Sequence, residues 1–338
     1  MSLSDPPSLA LSIGGRPMVL RRLMRHDMHD VLALHQRVFG GEVDLPWYAW
    51  KYQHGAGEAM GVWCDGALIA HCAGFPRLFS FRDRSAPYLQ IGDVMVAPEW
   101  RGILTRHGPF FHVSQGLYGS RLGESGPYPV GFGFPNARHM RLAVKSGLSW
   151  DCAAMHELEW TGPCTRQLSD RLWRLLPLSP SEASFDASVE TAWLRMRQDA
   201  GAVRLGDRSS SHVRWRYASR PGPSHHFFKI CRQWSEQTLG LLVLGPVTPD
   251  RPVHWLDWIG PVGMMSMASR MCRQAAARLG ASSVVTWASP AVMTALQPSG
   301  FSRQTEVARI GVPVASAVSS KEVADMNWWF MSGDTDFL

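Results

Sequence analysis

From Met60 to Cys64, and again from Leu68 to Phe81, apolar residues alternate with small or polar ones, with Asp65-Gly66 between the two runs. A period of two on both sides of an Asp-Gly dipeptide predicts two strands joined by a tight hairpin turn. A second turn over Arg82–Ser85 leads into a third apolar run, Tyr88–Val96. Ahead of this meander the pattern predicts a strand near Met18–Met24 and a helix from about Asp27 to Phe39. Behind it come a helix, a short strand, a second helix and a closing strand. After Trp160 the composition changes. Thr161–Val189 is rich in Pro, Ser and Thr around the patch LSDRLWRLL (Leu168–Leu176) and is predicted to connect two domains. Beyond it the pattern predicts a helix over Glu190–Asp199, a hairpin of His226–Arg232 with Leu239–Gly245, a strand over Trp255–Ile259 and a helix over Met264–Leu279. A strand over Ser283–Trp287, a helix over Ala291–Gln297 and strands near Phe301–Val312 follow.

The second half repeats landmarks of the first. Trp50-Lys51-Tyr52 returns 165 residues later as Trp215-Arg216-Tyr217, and Asp93 in its apolar run returns 164 residues later as Asp257. Strand, proline break, short helix and Gly-apolar pair end each half, at Gly147-Leu148 and Gly300-Phe301. Two diverged copies of one α/β unit with a mixed sheet explain this order. The boundaries expected are residues 16–160, a linker at 161–188, and 189–338. Two halves that simply share strand-helix-strand units are the alternative.

Composition narrows the class without changing this picture. A chain of 338 residues, 45% hydrophobic and 18% charged, is long enough for two globular cores. The net charge is +6, with only four lysines, and the basic residues are spread along the chain rather than clustered, so no nucleic-acid partner is expected. Six cysteines form no CxxC pair and no Cys/His spacing suited to zinc, which fits reduced thiols and no metal. The first residues lack a basic segment followed by an apolar stretch, so neither export nor a membrane span is expected, and a cytoplasmic location is.

The most informative stretch is IGDVMVAPEWRGILTRHGPFFHVSQGLYGSRL, Ile91 to Leu122. A strand ends at Pro98, a turn carries Arg101-Gly102, and a helix follows. Unpaired N–H groups and the positive end of such a helix suit a pyrophosphate. This resembles the acyl-CoA motif of the GNAT superfamily of N-acyltransferases, and the chain as a whole resembles tandem proteins with two GNAT-like domains. Arg101 and Gly102 match the motif, whereas Leu104 and Arg106 stand where it has glycine or a small residue, and the next glycine is Gly108. The resemblance implies that Arg101, Gly102, Arg106, His107 and Gly108 bind the pyrophosphate. It likewise implies that Asn136, in Phe134-Pro135-Asn136, meets the pantetheine arm. A backbone N–H near Met95 or Val96 would meet the thioester carbonyl. Ala143 replaces the tyrosine that often serves the family as general acid, and Leu148 replaces an aromatic.

The implied activity is transfer of an acetyl or other acyl group from acyl-CoA to a primary amine of a small molecule, of amino-sugar or amino-acid type. Asp93 could take the amine's proton or could be a paired structural carboxylate. A non-catalytic scaffold that binds a ligand or protein partner is the alternative reading, and a relative that uses charged tRNA is a third. His107 and His112 lack convergent metal ligands, and Ser114 and Cys152 lack an activating neighbour in sequence. The second copy has only Gly260-Pro261-Val262-Gly263 at the matching place and is expected to be a degenerate partner that shapes the substrate groove. Met264, Met265, Met267 and Met271 read as core filling. Asp334 and Asp336 are expected on a final edge strand facing water rather than holding a cationic or sugar substrate.

Overall fold

Asp65 and Gly66 both take the left-handed conformation, φ 49° and 79°, as a two-residue hairpin turn of the predicted kind requires. The turn joins β3 (Glu58–Cys64) to β4 (Ala67–Phe81), which are antiparallel. In the computed structural model, which describes residues 8–41, 43–82, 84–102, 107–162, 171–249 and 251–335, the chain begins with β1 (Ser8–Ile13) and β2 (Arg16–Arg22). These form a hairpin around Gly14 and Gly15, and β1 was not foreseen from the pattern. Next come α1 (Met28–Phe39), α2 (Leu45–Tyr48) and a π-helical turn over Ala49–His54. After β3 and β4 follow β5 (Arg84–Val96), α3 (Pro109–Arg121), β6 (Gly131–Gly133), α4 (Ala137–Lys145) and β7 (Ser149–Thr161).

The chain divides into two compact units, neither of which is one contiguous piece. The first contains the chain up to Arg77, Ala86–Cys152 and Arg309–Ala324; the second contains Leu78–Ser85, Ala153–Ala308 and the chain from Asp325. The expected boundaries at 160 and 189 differ from this because β7 runs out of the first unit at Cys152, and a later strand runs back into it at Arg309.

In the first unit strands β1 to β6 lie side by side in chain order, and a strand carrying Gly311 pairs antiparallel with β6 at Gly133. Neighbours from β1 to β4 are antiparallel, and β5 with β6 is parallel. Val62, Ile69, Phe75, Leu89 and Met95 from the strands, Val31 and Leu34 from α1, and Val113 and Leu117 from α3 make the core. Gly116 lets α3 close on β2: a Cβ there would stand 3.0 Å from a Leu20 methyl.

The second unit continues from β7 through β8 (Trp173–Pro177), α5 (Phe185–Asp199), β9 (Arg204–Gly206) and α6 (Ser210–Val213) to a second π-helical turn over Arg214–Ala218. Then come β10 (His226–Arg232), β11 (Thr238–Leu244), β12 (Val253–Ile259), α7 (Met265–Arg278), β13 (Ser283–Ala288), α8 (Pro290–Leu296) and β14 (Arg303–Pro313), the strand that carries Gly311. Short α9 (Ser320–Ala324), which belongs to the first unit, and β15 (Trp328–Trp329) in the second follow, and β15 is parallel to β9. The central order is β7-β13-β12-β11-β10-β8. The patch expected to belong to a linker is thus partly a strand: β8 is antiparallel to β10, Leu175 is buried, and Arg278 donates to the Leu175 carbonyl. Residues 163–170 lie outside the described residues. The methionines Met265, Met267 and Met271 are buried in this unit's core. No helix among the described residues is long and apolar enough to cross a membrane.

Candidate active site

The site is built where β5 and β6 part. Their parallel pairing runs through Leu89/Gly131, Gln90/Phe132 and Ile91/Gly133. Gly133 makes the last step possible, since a Cβ there would lie 3.0 Å from the Ile91 carbonyl oxygen. Beyond it the two chains turn to other partners. Pro135 accepts from the Arg309 N–H at 2.8 Å, and Ala97 at the end of β5 donates to Ile69 of β4 at 2.8 Å. The β5 edge past Ile91 therefore faces away from β4 without a β6 partner.

At the parting point Asp93 has φ 46°, left-handed inside a strand. Such a conformation costs a non-glycine residue about 1 kcal/mol and persists only if its surroundings hold it. Three side chains do so. Lys51 Nζ donates to one carboxylate oxygen at 2.7 Å, Tyr52 Oη to the other at 2.6 Å, and His71 Nδ1 to the Asp93 carbonyl at 2.7 Å. Lys51 and Tyr52 arrive on the π-helical turn, and such turns recur at functional sites. Tyr52 is fixed by stacking on Tyr48 at 4.5 Å and by the edge of Phe75 at 5.3 Å.

The Lys51 and Asp93 side chains are each 7% exposed. Burial pushes the Asp93 pKa up, but the charge and hydrogen bond of Lys51 and the hydroxyl of Tyr52 outweigh it and hold the carboxyl below its ordinary value. Asp93 is therefore an ion-paired carboxylate with both oxygens engaged. His71 is wholly buried, and burial lowers its pKa. It is neutral, with the proton on Nδ1 facing the carbonyl, and Nε2 has no partner among the described residues.

At the end of β5, Arg101 Nε donates to the Val96 carbonyl at 2.9 Å, so the guanidinium lies over the open edge. Gly102 has φ 77°, and nothing among the described residues lies within 4 Å of where its Cβ would be. Arg106 and Leu104 lie outside the described residues. Helix α3 then opens at Gly108 with Pro109 in its first turn and no side chain among the described residues capping it. Proline supplies no N–H and presets the helical φ, which leaves the following amides pointing out of the helix end. His107 stacks on Phe111 at 4.0 Å. Met95 is buried and Val96 half-buried. The Asn136 side chain accepts from the His139 N–H at 2.9 Å and caps α4, while remaining exposed. His139 is held below its ordinary pKa by burial and by the charges of Arg138 and Arg101. Among the described residues no cluster of three His, Cys, Asp or Glu could hold a metal ion.

The second unit repeats the carboxylate network with other parts. Tyr217 Oη, from its π-helical turn, donates to Asp257 at 3.0 Å. The cation is Arg208, wholly buried, which donates to Asp257 at 3.0 Å and to Asp334 at 2.6 Å. Sequence reasoning missed Arg208, which lies outside the repeated triplet. Arg216, the counterpart of Lys51, instead donates to the carbonyls of Gly333 and Thr335. Asp334, expected to face water, is a half-buried ion-pair partner whose side chain is 15% exposed; Asp336 lies outside the described residues. Burial and the Asp334 charge push the Asp257 pKa up to about 6, because one guanidinium faces two carboxylates.

Residues 19–108 match the family described as acetyltransferase (GNAT) domain. No match is found among curated proteins. Several solved structures share the fold. A protein of Enterococcus faecalis V583, described as a probable N-acyltransferase, is 11% identical with a TM-score of 0.67, covering 89% of this chain and 73% of that one. A GCN5-related N-acetyltransferase of Anabaena variabilis is 14% identical with a TM-score of 0.64, covering 88% and 73%. A GCN5-related glucosamine N-acetyltransferase region of a fungal multi-domain β-N-acetylglucosaminidase is 13% identical with a TM-score of 0.55, covering 92% and 39%.

Proposed function

We propose that the first unit transfers an acyl group from acyl-CoA to a primary amine of a small molecule, a reading supported by the match of residues 19–108 to the GNAT acetyltransferase domain. The observation that carries this reading is the open β5 edge beyond Ile91 and Gly133, which leads directly to Arg101, Gly102 and the uncapped end of α3. An extended pantetheine arm pairs with free strand N–H and C=O groups, and a pyrophosphate suits an uncapped helix end with an arginine beside it. Acyl-CoA supplies the activated acyl group as a thioester. The protein's part is to position and polarise.

Arg101, Gly102, His107 and Gly108 line the pyrophosphate end, with Arg106 assigned to the same loop. The β5 amides Val94 and Val96 face the open edge, by alternation from Ala97, which donates to β4. This retains Val96 for the co-substrate and replaces Met95, whose amide has the same parity as Ala97. Asn136 contributes by capping α4, not by reaching the pantetheine. Asp93 holds the strand's shape, and the amine proton leaves to water, since both carboxylate oxygens are engaged. The acceptor is of amino-sugar or amino-acid type, and the fungal glucosamine N-acetyltransferase region of like fold supports the former.

Calorimetry with acetyl-CoA and longer acyl-CoAs tests the reading, followed by thiol release with glucosamine and amino acids as acceptors. Binding of at least one acyl-CoA is expected, and Arg101→Glu weakens it by about 10-fold or more, since a carboxylate replaces a cation beside the phosphates. Absence of binding to all acyl-CoAs would favour the non-catalytic scaffold.

A further inference from the structure

Of the four non-glycine residues with positive φ among the described residues, Ala56, Asp65 and Arg82 lie in turns and Asp93 lies inside a strand. Its carboxylate is held by Lys51 and Tyr52, as the carboxylate of Asp257 is held by Arg208 and Tyr217. The carbonyl contacts differ. Trp255 Nε1 reaches the Asp257 carbonyl from two residues away on the same strand, and Asp257 has no positive φ. His71 reaches the Asp93 carbonyl from the neighbouring strand β4. A leucine at position 71 would fill the core without leaving a buried Nε2 unpartnered, so packing alone does not account for a histidine there.

The Asp93–Val94 peptide is trans, and a trans peptide points its C=O and the next N–H in opposite directions. With the Asp93 carbonyl fixed on His71, the Val94 N–H turns the other way, to the side from which β6 has withdrawn. Resting on the acyl-CoA reading above, we propose that His71 is a positioning residue for acyl transfer. By holding the Asp93 carbonyl it aims the Val94 N–H at the carbonyl oxygen of the acyl thioester. A donor fixed in advance at the oxygen where negative charge grows lowers the barrier without reorganisation. Neutrality suits His71 to this role, since a second buried cation beside Lys51 would compete for Asp93.

The test is the isotope-edited infrared band of the thioester carbonyl of [1-13C]acetyl-CoA bound to the full chain, with calorimetry and thermal unfolding in parallel. On wild-type protein the band is expected to move to lower wavenumber on binding. In His71→Leu it returns to its position in free acetyl-CoA, with affinity changed by less than about two-fold. In His71→Asn, whose side-chain N–H stands near the place of Nδ1–H, the shift is restored. Should His71→Leu fail to fold, His71→Met takes its place. A shift that survives loss of the donor, a wild-type complex with no shift, or His71→Asn behaving as His71→Leu in a folded protein overturns the proposal. Wild-type protein that binds no acetyl-CoA overturns the acyl-CoA reading itself, which calorimetry distinguishes from these outcomes.

Discussion

Behind β5 and behind β12 the chain makes the same move, a short turn and then a helix, and it treats the two helix beginnings in opposite ways. Helix α3 opens at Gly108-Pro109 with no side-chain cap, next to Gly102 and Arg101. In the turn leading into α7, the Gly263 N–H donates to the Asp199 carboxylate at 2.7 Å, and Pro261 removes another donor. A carboxylate from the chain itself thus occupies an amide of the kind that an external anion would use. The buried aspartates differ in parallel. Asp93 is left-handed and neutralised one-to-one by Lys51, whereas Asp257 shares a single Arg208 with Asp334. The first unit keeps strain and an open helix end, both useful to a ligand; the second has converted the same parts into internal contacts.

The largest effect expected from breaking this comparison is in the second unit's core. Arg208→Met leaves Asp257 and Asp334 without their shared cation and should cost roughly 3–5 kcal/mol in urea unfolding. A loss below about 1 kcal/mol would mean that solvent reaches the pair. Asp257→Asn sharpens the contrast in pH. Folded Asp257 keeps its proton up to about pH 6 and the unfolded residue only to 3.8, so the folded state binds more protons between those values. Its contribution to stability is present below pH 3.8 and is lost as pH rises to about 6, by up to about 3 kcal/mol. The variant should lack this fall when unfolding is followed between pH 4 and 7. The carboxyl of Asp93 is shifted the other way: its contribution is present above pH 3.8 and is lost on acidification below it. The smallest effect is that of Asp199→Ala, about 0.5–1 kcal/mol for the lost anion at Gly263. Calorimetry should still give one acyl-CoA per chain for this variant, because no arginine matches Arg101 in the turn over Val262–Met264; a second bound equivalent would refute the assignment of the site to the first unit.

Much of this was legible where the signal is local. Asp65-Gly66 announced its hairpin because few dipeptides take left-handed φ twice, and the triplets at Trp50 and Trp215 marked equivalent places in the two halves, both of which are π-helical turns. Asp93 and Asp257 stood out as acids in apolar runs. What depends on distant partners was not legible. The repeated triplet pointed to Lys51 and Arg216 as equivalents, yet the cation on Asp257 is Arg208, since the longer arginine at 216 reaches the Gly333 and Thr335 carbonyls instead. Asn136 carried only the expectation that the resemblance implies, and its cap on the His139 N–H is visible only once a helix begins at Ala137. β8 was hidden in a polar, proline-rich setting because its register is set by β10, about fifty residues away.

The interleaving of the units has a consequence for biosynthesis. Residues 309–324 belong to the first unit, and 153–161 to the second. On a ribosome the amino-terminal unit cannot close until nearly the whole polypeptide has emerged, so β6 waits through most of translation for the strand that carries Gly311. Domain-by-domain folding in the order of synthesis, the usual protection of long chains against misassembly, is therefore not open to this one. A truncation after residue 160 would leave the nascent first unit with a bare strand edge at β6.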